Sequence, residues 1–129
     1  VDVIRPFSDH FPTIAASATT RTAFANACVQ LIQQYKFDGI DIDWEYSGYA
    51  PNSGTAADKR NFTLFLQAIR TALTNLGVQT GKTYTLTACF SAAPAPMANI
   101  EWANIVPILD CINLRNIFLL QYFVKTKFI

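Results

Sequence analysis

The chain has 129 residues, 51% hydrophobic and 15% charged, with a formal net charge of +1. That suits one small domain with a buried core, and is too short for a complete (β/α)8 barrel of about 250 residues. The near-zero charge excludes the electrostatic footprint of a nucleic-acid binder, and no apolar run reaches the roughly 18 residues of a membrane span.

In chain order, residues 1–12 read as irregular, interrupted by Pro6 and Pro12, with a short strand over residues 1–4. A helix is expected from about Thr20, because Phe24, Ala27, Cys28, Leu31, Ile32 and Tyr35 recur at helical spacing. Asp38-Gly39 ends that pattern with a turn, and the period then switches to two. Ile40, Ile42, Trp44 and Tyr46 share one face of a strand, and Asp41, Asp43 and Glu45 share the other. A Gly/Pro/Ser/Asn-rich loop over residues 47–55 leads to a second helix over residues 58–76. Its stripe is Phe62, Phe65, Leu66, Ile69, Leu73 and Leu76, with Gly77 as the stop. Residues 84–91 read as a strand, residues 93–96 as a proline-rich turn, 102–106 as a short helix and 111–114 as a strand. Alternating strands and helices point to a parallel α/β sheet or barrel. Residues 115–129 carry Arg115, Lys125, Lys127 and no acid, so this apolar tail holds +3 and residues 1–114 hold −2.

Cys28, Cys89 and Cys111 have no Cys-x-x-Cys spacing and each lies in an apolar run, so all three are expected to be buried. His10, the only histidine, and Met97 are expected in loops, and no metal site or cofactor is predicted. The triplet Asn61-Phe62-Thr63 is a glycosylation sequon of use only in a secreted protein. No signal peptide is visible.

Three carboxylates on one strand face repel, so at least one is expected to retain a proton near neutral pH. If helices cover the Ile40, Ile42 and Trp44 face, the acids point into a barrel lumen, toward the end where barrel active sites lie. A proton shared by Asp41 and Asp43 would relieve the repulsion and tune Glu45 as an acid. Asp38, on the opposite parity, reads as a structural cap of backbone amides. Trp44 reads as core. Tyr46, near the mouth, fits core or site, and Trp102 fits packing or a sugar subsite. Phe90 shares its parity with Ala88 and Ala92, which would leave room for a sugar ring if that face were inward.

The spacing Asp38-x-x-Asp41-x-Asp43-x-Glu45, within Phe37-Asp-Gly-Ile-Asp-Ile-Asp-Trp-Glu-Tyr46, resembles the signature of glycoside hydrolase family 18, the chitinases and related N-acetylglucosaminidases. The similarity extends from about Phe7 to Leu114. It implies an incomplete TIM (β/α)8 barrel, about strands three to six of eight, in a single partial catalytic domain over residues 1–129. It also implies Glu45 as general acid and then base, Asp43 orienting the substrate's 2-acetamido group, and Asp41 supporting Asp43. Tyr46, Phe90 and Trp102 are the candidate substrate contacts. The implied partner is chitin or chitooligosaccharides, and the implied location is extracellular. The family's Gly-Gly-Trp segment is replaced by Val3-Ile4-Arg5-Pro6. Its Met-x-Tyr-Asp segment is replaced by Arg115-Asn116-Ile117-Phe118, which points to a truncated gene and impaired catalysis. The alternatives are a chitinase-like lectin, against which the retained Glu45 argues, and a Ca²⁺ or Mg²⁺ site on Asp41, Asp43 and Glu45.

Overall fold

The computed structural model describes residues 10–115, and the strand expected over residues 1–4 lies outside them. Residues 11 and 12, expected to be irregular, instead open a helix, α1 (Phe11–Ala16). Pro12 occupies its first turn, where a missing N–H costs no hydrogen bond and the fixed φ suits the helix. Ser17 is extended, and its hydroxyl accepts from Thr20 N at 3.1 Å, capping α2 (Ala18–Tyr35).

α2 buries Ala25, Cys28 and Ile32, whereas Leu31 and Tyr35 of the expected stripe are 45% and 56% exposed. The expected stripe spans two adjacent helical rows, and one of them meets the rest of the protein. α2 ends at Lys36 in the left-handed region (φ 61), which costs a residue with a Cβ roughly 1–2 kcal/mol.

β1 (Gly39–Asp43) begins where a Cβ on Gly39 would lie 2.3 Å from Thr85 O, so this close crossing admits only glycine. β1 pairs in parallel with β2 (Thr85–Ser91), and β2 pairs in parallel with β3 (Cys111–Arg115), giving the order β1-β2-β3. The crossover from β1 to β2 is α3 (Asp58–Thr80), and that from β2 to β3 holds α4 (Pro94–Ala98) and α5 (Trp102–Ile105).

α3 runs through Gly77, the expected stop, and ends at Gly81 (φ 68), whose N–H bonds Gly77 O at 2.9 Å. Gly77 answers to packing, because a Cβ there would meet Lys82 O at 2.6 Å. The buried face of α3 is the expected one: Phe62, Phe65, Leu66, Ile69, Leu73 and Leu76 are each no more than 2% exposed. Burying each side chain contributes roughly 1.5–3 kcal/mol. The expected turn over residues 93–96 is largely helical, and Met97, expected in a loop, lies in α4.

The core is largely aromatic between sheet and helices. Trp44 stacks on Phe11 (centroids 5.6 Å apart) and meets Phe62 edge-on at 5.0 Å. Arg70 of α3 braces the strand starts, donating to Ile108 O (2.8 Å) and Tyr84 O (3.1 Å) and pairing with Asp110. The Asp110 carboxylate also accepts from Leu86 N at 2.7 Å. That amide foremost, with Arg70, holds its carboxyl below the usual aspartate range. Among the described residues, no helix is long and apolar enough to cross a membrane.

Candidate active site

Strand alternation divides the sheet cleanly. Ile42, Leu86, Ala88 and Phe90 are buried in the core with Trp44. The opposite face pairs Asp41 with Thr87, Asp43 with Cys89, Cys89 with Asn113 and Ser91 with Arg115. Because neighbours in register share a face, this side is polar across all three strands. The strands are parallel, so Asp43, Ser91 and Arg115 mark one common carboxyl end of the sheet, and Glu45 follows two residues beyond β1.

The three acids follow one another along this face, each with partners on the neighbouring strands. Asp41 Oδ1 accepts from Thr87 Oγ1 and, at 3.3 Å, from Asn113 Nδ2. Arg115 donates from NH2 to Asp43 Oδ2 at 2.6 Å, and from NH1 it pairs with Glu45 Oε1. The Glu45 side chain is 19% exposed against 35% for Asp43, so it is the more enclosed acid of that pair.

The loop after Glu45 is held from two sides. Asp58, 2% exposed, accepts from Gly48 N (3.1 Å), Thr55 N (3.0 Å) and Thr55 Oγ1 (3.2 Å). Asn99 donates to Ser47 O at 2.6 Å, packed where a Cβ on Gly48 would stand 2.2 Å from its Nδ2. A bare backbone at Gly48 (φ 76) meets both demands.

Other expected site residues lie elsewhere. The Asp38 carboxylate caps no amide among the described residues; its main-chain carbonyl instead accepts from Thr85 N at 2.9 Å. Phe90, 5% exposed, packs between Phe62 (5.9 Å) and Trp102 (5.0 Å) in the core. Ala88, on the same parity, is fully buried there, so this face leaves no room for a sugar. Trp102 packs on that side too, its Nε1 donating to Met97 O at 2.9 Å, so neither ring faces the acid row. Tyr46 is half-buried, edge-on to Tyr49 at 6.4 Å, and lines a small cavity with Trp44 and Ser91.

Two of the three cysteines depart from expectation. Cys28 is buried, with its thiol pushed up to about 11 by that burial, but Cys89 is half-buried and Cys111 exposed. Parity places both of the latter on the polar face, where partial burial first, then Asp43 and Asp41, raise the Cys89 thiol. In the sequon, Thr63 is buried and its hydroxyl donates to Glu101 at 2.6 Å. No three His, Cys, Asp or Glu among the described residues converge as a metal ion requires.

Thr87, Cys89, Asn113 and Arg115 were not foreseen in the site. Their signal is the alternation Thr87-x-Cys89-x-Ser91 and Cys111-x-Asn113-x-Arg115, which matches β1 once the strands are paired.

The profile of "Glycosyl hydrolases family 18" matches residues 5–120. The chain is 43% identical over 111 residues to Chitinase A1 of Niallia circulans, an alignment covering 84% of this chain and 16% of that protein. It superposes on chitinase ChiA74 from Bacillus thuringiensis with a TM-score of 0.80 at 41% identity, covering 83% of this chain and 18% of that one. A chitinase-like agglutinin from Robinia pseudoacacia matches with a TM-score of 0.76 at 25% identity, over 88% of this chain and 33% of that one. The chain therefore spans a minor part of each of these relatives. With a family match over most of its length and an acid row at the carboxyl end of a parallel sheet, the chain belongs to glycosyl hydrolases family 18.

Proposed function

We propose that the acid row is the proton-transfer centre of a glycosidase acting on β-1,4-linked N-acetylglucosamine polymers, and that this chain carries the centre in weakened form. The observation that supports this most is the row of Asp41, Asp43 and Glu45 at the carboxyl end of a parallel sheet, in a chain whose family match spans residues 5–120. The chain corresponds to about strands three to six of a (β/α)8 wall, three of which lie among the described residues. Relatives named chitinases argue for chitin or chitooligosaccharides as the substrate, and the extracellular setting is proposed on the family resemblance alone.

In this reading the path is substrate-assisted and retaining. Glu45 gives a proton to the glycosidic oxygen as the C1–O bond breaks. The carbonyl oxygen of the substrate's own 2-acetamido group attacks C1, forming an oxazolinium ion, while Asp43 accepts from the acetamido N–H. Water then attacks C1, the ring opens to restore the acetamide, and the Glu45 carboxylate takes the water's proton. The position where the family has a tyrosine that holds the acetamido group carries Ile117 here. Removing one such donor costs about 10²–10³ in rate.

The test is fluorophore release from a chitotriose conjugate by the chain and by Glu45→Gln. Slow turnover that disappears in Glu45→Gln is the expected result. Equal release by both proteins overturns the catalytic reading of this chain.

A further inference from the structure

Asp41, Asp43 and Glu45 put three negative groups on one face, and something positive must offset them. For Asp41, two neutral donors serve, Thr87 and Asn113. For Asp43 and Glu45 it is Arg115, whose two terminal nitrogens divide between the two carboxylates. The arginine is well anchored for this: it ends β3 opposite Ser91, and its carbonyl accepts from Ala92 N at 3.1 Å.

We propose that Arg115 is a positioning residue that competes with the catalytic proton, holding Glu45 mostly as a carboxylate and leaving a small share of it as the acid. The inference rests on the reading of Glu45 as the acid/base. An ion pair to Glu45 Oε1 needs the ionised group, and protonation of a glycosidic oxygen needs the neutral one, so the pairing and acid catalysis exclude each other. A guanidinium keeps its charge as pH falls, so the pair is undone by protonation of Glu45 itself. Sharing the face with Glu45 are Asp41 and Asp43 from β1, Cys89 from β2 and Cys111 and Arg115 from β3, with Tyr46 following on the loop. Among the described residues of that face, Arg115 is the cation.

The chain has two glutamates, Glu45 and Glu101, so labelling the side-chain carboxyl carbon of glutamate with ¹³C gives two signals. Glu45→Gln assigns them. Glu101 lies away from this face, bonded to Thr63 and Arg60, and serves as an internal reference. On pH titration, the Glu45 signal in Arg115→Met should turn over about one pH unit or more above that of the wild type, while Glu101 stays put. Arg115→Lys, which keeps the charge, should fall near the wild type. A Glu45 midpoint identical in wild type and Arg115→Met overturns the proposal. If the methionine variant loses the native amide fingerprint, Arg115→Gln gives the same reading, and an unmoved midpoint there overturns it equally. The titration reports on Arg115 and the Glu45→Gln turnover comparison on catalysis, so either idea fails without the other.

Discussion

Asp58 is the buried carboxylate on which the conformation of the loop after Glu45 depends, and its removal has a calculable cost. Asp58→Ala strips acceptors from Gly48 N, Thr55 N and Thr55 Oγ1, which bond the carboxylate at 3.1, 3.0 and 3.2 Å. Thr55 is exposed, so its two donors regain water, and about 0.5–1 kcal/mol is lost for each. Gly48 is half-buried beneath Asn99, so its N–H stays poorly solvated, at a cost of about 1–3 kcal/mol. The total is about 2–5 kcal/mol, or a fall in Tm of about 7–20 °C for a domain near this size. Asp58→Asn should cost about 1 kcal/mol, because its carbonyl oxygen can face both amides while its NH₂ meets Thr55 Oγ1, leaving a loss of charge assistance. Urea unfolding followed by tryptophan fluorescence, with an unchanged m-value, measures both. An alanine variant within about 0.5 kcal/mol of wild type, or an asparagine variant as damaging as alanine, refutes the assignment of the loop to this carboxylate.

Asp110, whose carboxyl is held low by the Leu86 amide and then by Arg70, makes stability depend on acid. With the folded value below the unfolded one, its contribution is complete above the unfolded value and is lost as pH falls through the folded one, below about pH 4. The urea midpoint should therefore fall less between pH 6 and pH 3 in Asp110→Asn than in wild type; equal falls would refute the linkage. Thiol labelling with a coloured disulfide should run in the order Cys111, Cys89, then Cys28, the last only on unfolding, because Cys28 is buried with its thiol raised to about 11. Rapid labelling of Cys28 in the native protein would contradict that burial.

What could be read from the chain depended on whether the signal was periodic or positional. The α3 stripe from Phe62 to Leu76 and the alternation from Ile40 to Glu45 are repeats, and packing follows them closely. Single punctuating residues misled. Gly77 reads as a helix stop, yet its missing Cβ makes way for Lys82 O and the true stop is Gly81. Pro12 and Pro94 read as breaks, yet each opens a helix, since a proline suits the first turn. Which face of a strand is buried is likewise not local. For β2, the choice between Leu86-Ala88-Phe90 and Thr87-Cys89-Ser91 is settled by pairing with β1, which sets Thr87 beside Asp41. The parity of Phe90, open in the sequence, and the departure of Cys89 and Cys111 from expected burial both follow from that pairing.

Arg115 carries the same lesson into the site's electrostatics. By composition it groups with Lys125 and Lys127 in a basic tail, whereas in the fold it is the last residue of β3 and the counter-ion of acids some 72 positions earlier. Reading the acid strand alone leaves repulsion to be relieved by a proton, which is the requirement of an acid catalyst. Adding the strand two places across the sheet brings a guanidinium to Asp43 and Glu45, a second way of offsetting their charge that the acid strand by itself does not reveal. Retention of every acid in the motif is therefore insufficient evidence of acid catalysis. The residue at the end of β3 has to be weighed with them, and its proposed effect on Glu45 is open to direct titration.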